Sequence, residues 1–131
     1  MKILVFGNPD VETDNRAVIA AKKLKNFAGV EFVLVNSNED VLPTDKELIV
    51  IDTIVGLPQT DLLTENDLGK LIVPGRGTAH DYDLGFQLKY LIKLKKLKKV
   101  RIIGLPAEGK IDYERIQLIL RKLVAQDMQG S

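Results

Sequence analysis

The sequence predicts an α/β fold: a three-layer sandwich with a mostly parallel, twisted sheet of about five strands flanked by helices. Short runs rich in Leu, Ile and Val recur at residues 3–6, 30–35, 48–51 and 100–103. Segments with apolar residues at helical spacing lie between or after these runs. Runs that are apolar on both faces are typical of buried parallel strands, and their alternation with helices favours this architecture.

The first half of the chain is expected to hold three of the strands and one helix. The run at residues 3–6 ends in a Gly-Asn-Pro turn, and the run at 30–35 is rich in β-branched residues. A helix is expected over residues 14–26, where Asp14 suits the N-cap or first turn because the helix dipole stabilises an acid there. The third strand is predicted to end directly at Asp52.

The second half is predicted to finish the sheet and to add two helices. Residues 56–69 have a mixed composition that predicts mostly loop, and residues 71–73 predict a short strand. The clearest helix spans residues 83–97, and the last strand is followed by a Gly-Leu-Pro turn. Asp112 is expected to cap a final helix with apolar residues at helical intervals, namely Ile116, Ile119, Leu120 and Leu123.

Length and composition limit the possible classes of protein. The 131 residues fit a single domain, which we assign to residues 1–128, with a flexible tail at 129–131. A net charge of +1 provides no field to hold nucleic acid or a membrane surface. The absence of cysteine excludes disulfides, thiolate metal sites and a cysteine nucleophile. The first apolar run is too short for a signal peptide or a membrane span, so we expect a cytoplasmic protein.

Polar residues follow several of the predicted strands, where α/β proteins bind ligands. The first strand leads through an acidic loop to Asp14, the third ends at Asp52, and His80 precedes the long helix. Taken singly, each has a simpler structural explanation: a helix cap for Asp14, a turn cap through Thr53 for Asp52, and a loop position for His80. Together, two carboxylates and an imidazole make a reasonable site for a divalent metal.

Other kinds of site find less support. The loop after the first strand lacks the glycines of a dinucleotide fingerprint and the lysine of a P-loop, which weakens a nucleotide-binding function. There is no G-x-S-x-G elbow, and a Ser-His-Asp triad would have to use His80 without a suitable serine. The basic run at residues 89–101 is explained most simply by the helix dipole and solubility, with docking of an acidic partner as the alternative.

Four segments, taken in order, resemble the hydrogenase maturation endopeptidase family. The segment GNPDVETDN is similar to its G-N-x-L-x-x-D-[DE]-G motif, which places Asp14 at the family's first metal ligand. LIVIDTI resembles the strand that ends in the second ligand, here Asp52. TAHDYDLGFQLKYL resembles the segment that carries the third, here His80, and VRIIGLPAEG is similar to the closing strand and G-x-x-P-E turn.

The resemblance implies a protease that removes the C-terminal extension from the large-subunit precursor of [NiFe] hydrogenase after nickel insertion. It implies that Asp14, Asp52 and His80 bind nickel that is recognised in the substrate and need not be held permanently. Asp14 and Asp52 are then the candidate catalytic carboxylates. The partner is the precursor protein.

The sequence also departs from the family motifs in its loops. Asp10 replaces an apolar residue, Thr13 replaces the first acid of a pair, Asn15 replaces a glycine, and Asn36 begins a stretch that has lost the family's D-G-G-T. These changes spare the three candidate ligands but alter the loops expected to grip the substrate. The alternative function is therefore a non-catalytic escort protein that binds a metalloenzyme subunit and retains the protease fold.

Overall fold

The computed structural model describes residues 1–7, 15–35, 47–54, 56–70 and 99–129. The predicted strand at 71–73 and the predicted helix at 83–97 lie outside these residues. In chain order, the described elements are β1 (Lys2–Val5), α1 (Arg16–Lys23), β2 (Glu31–Leu34), β3 (Glu47–Ile54), β4 (Asp61–Thr64), a 3₁₀ helix (Glu65–Lys70), β5 (Lys99–Pro106) and α2 (Tyr113–Gln129).

The five strands form one sheet in the order β2-β1-β3-β5-β4. Strand β1 lies parallel to β2 and β3, and β3 lies parallel to β5, whereas β4 runs antiparallel to β5 at the edge. The predicted mostly parallel sheet of about five strands is therefore confirmed. The four parallel strands end at the same side of the sheet, at Val5, Leu34, Ile54 and Pro106, and we call this side the carboxyl edge.

Apolar side chains cover both faces of the sheet. Because side chains alternate along a strand, successive residues of β1, β3 and β5 belong to two separate clusters. Helices α1 and α2 pack on the first cluster, and we call this side the helix face; its buried strand residues are Ile3, Val5, Ile51, Ile103 and Leu105. On the opposite face, the buried strand residues are Leu4, Leu48, Val50, Leu63, Val100 and Ile102.

Helix α2 follows the prediction closely. The Asp112 carboxylate Oδ1 accepts a hydrogen bond from the backbone N–H of Arg115 at 3.1 Å, so Asp112 is the cap that the sequence predicted. Ile116, Leu120 and Leu123 are buried against the sheet, and Ile119 is partly buried beside them. Their helical spacing therefore corresponds to the packed face of the helix.

Helix α1 is shorter than predicted and begins later. It spans Arg16–Lys23, and its N-cap is Asn15, whose side chain makes no capping hydrogen bond. The prediction of Asp14 as the N-cap was therefore wrong by one position. Four small or β-branched residues hold the helix close to the sheet, and all are buried: Ala17, Val18, Ala20 and Ala21.

Three other boundaries differ from the predictions. Residues 56–69, expected to be mostly loop, contain β4 and the start of the 3₁₀ helix. The third strand does not end at Asp52, because Thr53 and Ile54 continue to pair with Leu105 and Pro106 of β5. The last strand accordingly runs through the Gly-Leu-Pro segment that predicted a turn. In each case pairing with a neighbouring strand prevails over local composition.

No helix within the described residues is both long and apolar enough to cross a lipid bilayer.

Candidate functional site

Asp52 is the candidate site residue that the structure describes. It lies in the third-last position of β3, in the middle of the sheet and close to the carboxyl edge. Its side chain lies on the opposite face from α1 and α2, because it alternates with Ile51 of the helix face and shares the side of Val50. It is partly buried, so the carboxylate is within reach of solvent.

The local geometry of Asp52 fits both explanations offered by the sequence. Oδ1 accepts a hydrogen bond from the backbone N–H of Thr53 at 2.8 Å, which is the local contact expected of a capping aspartate. This hydrogen bond fixes the orientation of the carboxylate without burying it completely. A carboxylate oriented in this way at the end of a parallel strand is also well suited to bind a cation or a substrate group.

The other two candidate ligands, Asp14 and His80, lie outside the described residues. The structure therefore does not test whether they meet Asp52. Within the described ranges, no three His, Cys, Asp or Glu side chains lie close enough together to hold a metal ion. A metal site that includes Asp52 would consequently need ligands from outside those ranges or from a bound partner.

A second aspartate, Asp61, lies in the same row as Asp52, that is, at the same level of the sheet two strands away. The sequence pattern did not single it out. Asp52 of β3 is paired with Gly104 of β5, and Gly104 is paired on its other side with Asp61 of β4. Paired residues project to the same face, so the two aspartates flank Gly104 about 10 Å apart between Cα atoms, two strand spacings. The Asp61 Oδ1 accepts the N–H of the next residue, Leu62, at 2.9 Å, the same local contact that Asp52 makes.

The space above Gly104 is filled by apolar side chains. A Cβ atom built on Gly104 would lie 2.7 Å from Ile54 Cδ1 and 2.9 Å from Leu57 Cδ2. These two methyl groups therefore cover Gly104 on the face of the sheet that carries Asp52 and Asp61. The missing side chain at residue 104 is what allows this apolar packing beside Asp52. Sequence reasoning read Gly104 as part of a turn and so missed this role.

The carboxyl edge also holds an arginine that the sequence did not mark. Arg16, the first residue of α1, donates a hydrogen bond from Nη2 to the carbonyl oxygen of Gly109 at 2.7 Å. Gly109 lies in the turn between β5 and α2 and has a φ of 84°. The contact joins the start of α1 to the turn after β5. Since its partner is 93 residues away, no local pattern in the sequence indicates this contact.

One part of the basic run has a structural explanation. Arg101 Nη1 lies 3.5 Å from Glu65 Oε2, and the same carboxylate oxygen accepts the backbone N–H of Val100 at 3.3 Å. These contacts fasten the start of the 3₁₀ helix to the first residues of β5, away from the carboxyl edge. Residues 89–98 lie outside the described residues, so docking of an acidic partner there stays a prediction.

Comparison with known proteins shows a similarity of the whole fold, in addition to the similarity of the sequence motifs. No protein-family model and no curated protein matches the sequence. Two solved structures do match the fold. The hydrogenase maturating endopeptidase HybD from Escherichia coli matches over 100% of this chain and 94% of its own, with 18% identity and a TM-score of 0.63. An endopeptidase from Escherichia coli, solved in solution, matches over 81% of this chain and 74% of its own, with 20% identity and a TM-score of 0.58.

At these identities the comparison establishes the fold. The structural similarity to HybD extends along nearly the whole length of both chains. The resemblance found in the four sequence segments is thus confirmed at the level of the fold. The chain has the fold of the hydrogenase maturation endopeptidases.

Proposed function

We propose that this chain is an endopeptidase that removes the C-terminal extension of a [NiFe] hydrogenase large-subunit precursor after nickel insertion. The observation that carries the proposal is the position of Asp52. It lies near the end of a central strand in a chain that shares the fold of HybD, within the segment that resembles the family's second ligand. The ordered match of the other motifs supports the same function.

In this proposal the nickel belongs to the substrate. Asp52, Asp14 and His80 would contact the metal in the precursor, and two carboxylates with one imidazole are a donor set that a divalent ion accepts. The Thr53 N–H would keep the Asp52 carboxylate oriented toward the bound precursor. Contact with the metal would hold the scissile peptide near a carboxylate that can accept a proton from the attacking water.

The second candidate function is an escort protein that binds the precursor without cleaving it. The altered loop residues favour it, and Asn15 is the described example. It stands at a position where the family motif has glycine, and its side chain does not cap α1. Both functions predict binding of a nickel-loaded precursor. Only the endopeptidase predicts a shorter product.

The test is cleavage of a nickel-loaded large-subunit precursor that carries its C-terminal extension, followed by mass spectrometry of the product. We expect the wild type to release the extension, and Asp52→Asn to lower the rate at least about 100-fold. Asparagine retains an oxygen that can accept the Thr53 N–H, so this variant should remain folded. His80→Ala is expected to lower the rate to a similar extent, because it would remove a ligand.

Asp61→Asn is the matched control. Asp61 makes the same hydrogen bond to the next residue and lies on the same row and face of the sheet, but it is outside the proposed ligand set. We expect its cleavage rate to stay within about 3-fold of the wild-type rate, far from the loss of about 100-fold expected for Asp52→Asn. Equal losses in the two variants would contradict a specific role for Asp52. Stable binding of the precursor with no shorter product would favour the escort.

A further inference from the structure

Arg16 is held in a fixed position at the carboxyl edge. Its Nη2 donates to the Gly109 carbonyl at 2.7 Å, and its backbone begins α1, which packs on β1 and β3. One side of the guanidinium is thus fixed to the turn after β5. A long side chain that is already immobilised loses less conformational entropy when it binds a further group.

The rest of the guanidinium has unused hydrogen-bonding capacity. Arg16 Nε is buried and has no hydrogen-bond partner. No hydrogen bond joins Nη1 to a described residue, and the Arg16 side chain is partly exposed. No carboxylate in the described part of the chain pairs with this cation. Arginine is a strong donor to carboxylate and carbonyl oxygens, so the unpaired N–H groups of Arg16 are able to bind either kind of oxygen.

A second unpartnered polar atom lies at the same edge. Thr53 is 7% exposed, and its Oγ1 is buried without a partner. Thr53 pairs with Leu105 of the helix-face cluster, so its side chain lies on the face that α1 covers. Of the described residues, Arg16 and Thr53 are the two that leave a buried side-chain atom unpaired. A buried polar atom without a partner destabilises the folded chain. Both such atoms among the described residues lie at this edge of the sheet.

We propose that Arg16 is a substrate-binding residue. Its guanidinium, fixed by Gly109, donates hydrogen bonds to a carboxylate or carbonyl oxygen of the precursor chain. This inference rests on the proposed function for the identity of the bound protein. It adds a contact on the helix-face side of the carboxyl edge, whereas Asp52 lies on the opposite face. The precursor would then be held on both sides of the strand ends.

The test compares Arg16→Gln and Arg16→Lys with the wild type, using the nickel-loaded precursor as the probe. We expect Arg16→Gln to raise KM for cleavage, and Kd in direct titration, about 10- to 100-fold while kcat changes by less than about 3-fold. Arg16→Lys should give an intermediate Kd. One ammonium group retains the charge but cannot reproduce the fork that bonds Gly109 and the substrate together.

Arg115→Gln is the matched control for lost stability. Arg115 Nε donates to the carbonyl oxygen of Thr60, so this variant also removes a hydrogen bond from an arginine to a backbone carbonyl, but on the β4 side of the sheet. We expect Arg115→Gln to lower the melting temperature as much as Arg16→Gln and to leave KM and Kd unchanged.

The outcomes separate this inference from the proposed function. A wild type that binds or cleaves the precursor, beside an Arg16→Gln variant with unchanged KM and Kd, would overturn the inference alone. The same holds if Arg16→Gln and Arg115→Gln raise KM equally, since that would indicate a general loss of stability. A wild type that neither binds nor cleaves the precursor would overturn both.

Discussion

Gly104 shows how a single residue shapes the surroundings of Asp52. It is the direct partner of Asp52 in the sheet, and the methyl groups of Ile54 and Leu57 occupy the place of its side chain. We expect Gly104→Ala to lower the free energy of unfolding by about 1–3 kcal/mol, because the new methyl group forces both neighbours to move. Urea denaturation followed by circular dichroism measures this loss.

A double-mutant cycle tests the physical cause of that loss. Ile54→Val removes Cδ1, the atom that would lie 2.7 Å from the new Cβ. We therefore expect Ile54→Val to cost less in the Gly104→Ala background than in the wild type, with a coupling of about 0.5 kcal/mol or more. Additive effects would show that the two groups do not compete for the same space.

Individual site residues were predictable from the sequence only where they follow a local pattern. Asp52 could be singled out because an acid directly after four apolar residues is conspicuous, and Asp112 because it precedes a helical repeat. Arg16 and Asp61 carry no such mark. Arg16 meets Gly109 through a long-range hydrogen bond, and Asp61 meets Gly104 through strand pairing; both partners are distant in sequence.

Helix α2 allows a test of packing within a single element. Leu120 is fully buried, whereas Leu118, two residues earlier on the same helix, is 60% exposed. We expect Leu120→Ala to lower the free energy of unfolding by about 2–5 kcal/mol, since it removes buried methyl groups and leaves a cavity. Leu118→Ala, the same chemical change on the outer face, should alter it by less than about 0.5 kcal/mol.

Thermal or urea unfolding of the two variants provides the measurement. If both leucines gave similar losses, the outer face of α2 would have to be covered by another part of the protein. That result would contradict the orientation of the helix described above.

The elements differ in how far the sequence could predict them. Helix α2 was predictable because its cap and its apolar spacing agree with each other. Strand β4 was not, since its four residues include an acid and two leucines that serve opposite faces of the sheet. The ends of β3 and β5 were also missed, because these strands stabilise each other as far as Ile54 and Pro106.

At the scale of the whole molecule, the assignment of residues 1–128 to one domain remains a prediction with a direct test. A single cooperative core should give coincident urea transitions by far-ultraviolet circular dichroism and by tyrosine fluorescence. The chain has 3 tyrosines and no tryptophan, so the second signal reports on few sites, including Tyr113, whose ring lies 4.3 Å from Lys23 Nζ. Transitions at different urea concentrations would contradict a single cooperative unit.

The sequence by itself determined the class of fold, the cap of α2 and the candidate set Asp14, Asp52 and His80. These follow from the local spacing of apolar and polar residues and from motif order. Only the tertiary structure decided the strand order, the antiparallel edge strand β4 and the row that joins Asp52, Gly104 and Asp61. The physical reason is that strand pairing and long-range hydrogen bonds join residues that are far apart in the sequence. The hydrogen bond from Arg16 to Gly109 is an example. The number of residues between such partners follows no regular spacing, so no local pattern predicts the contact.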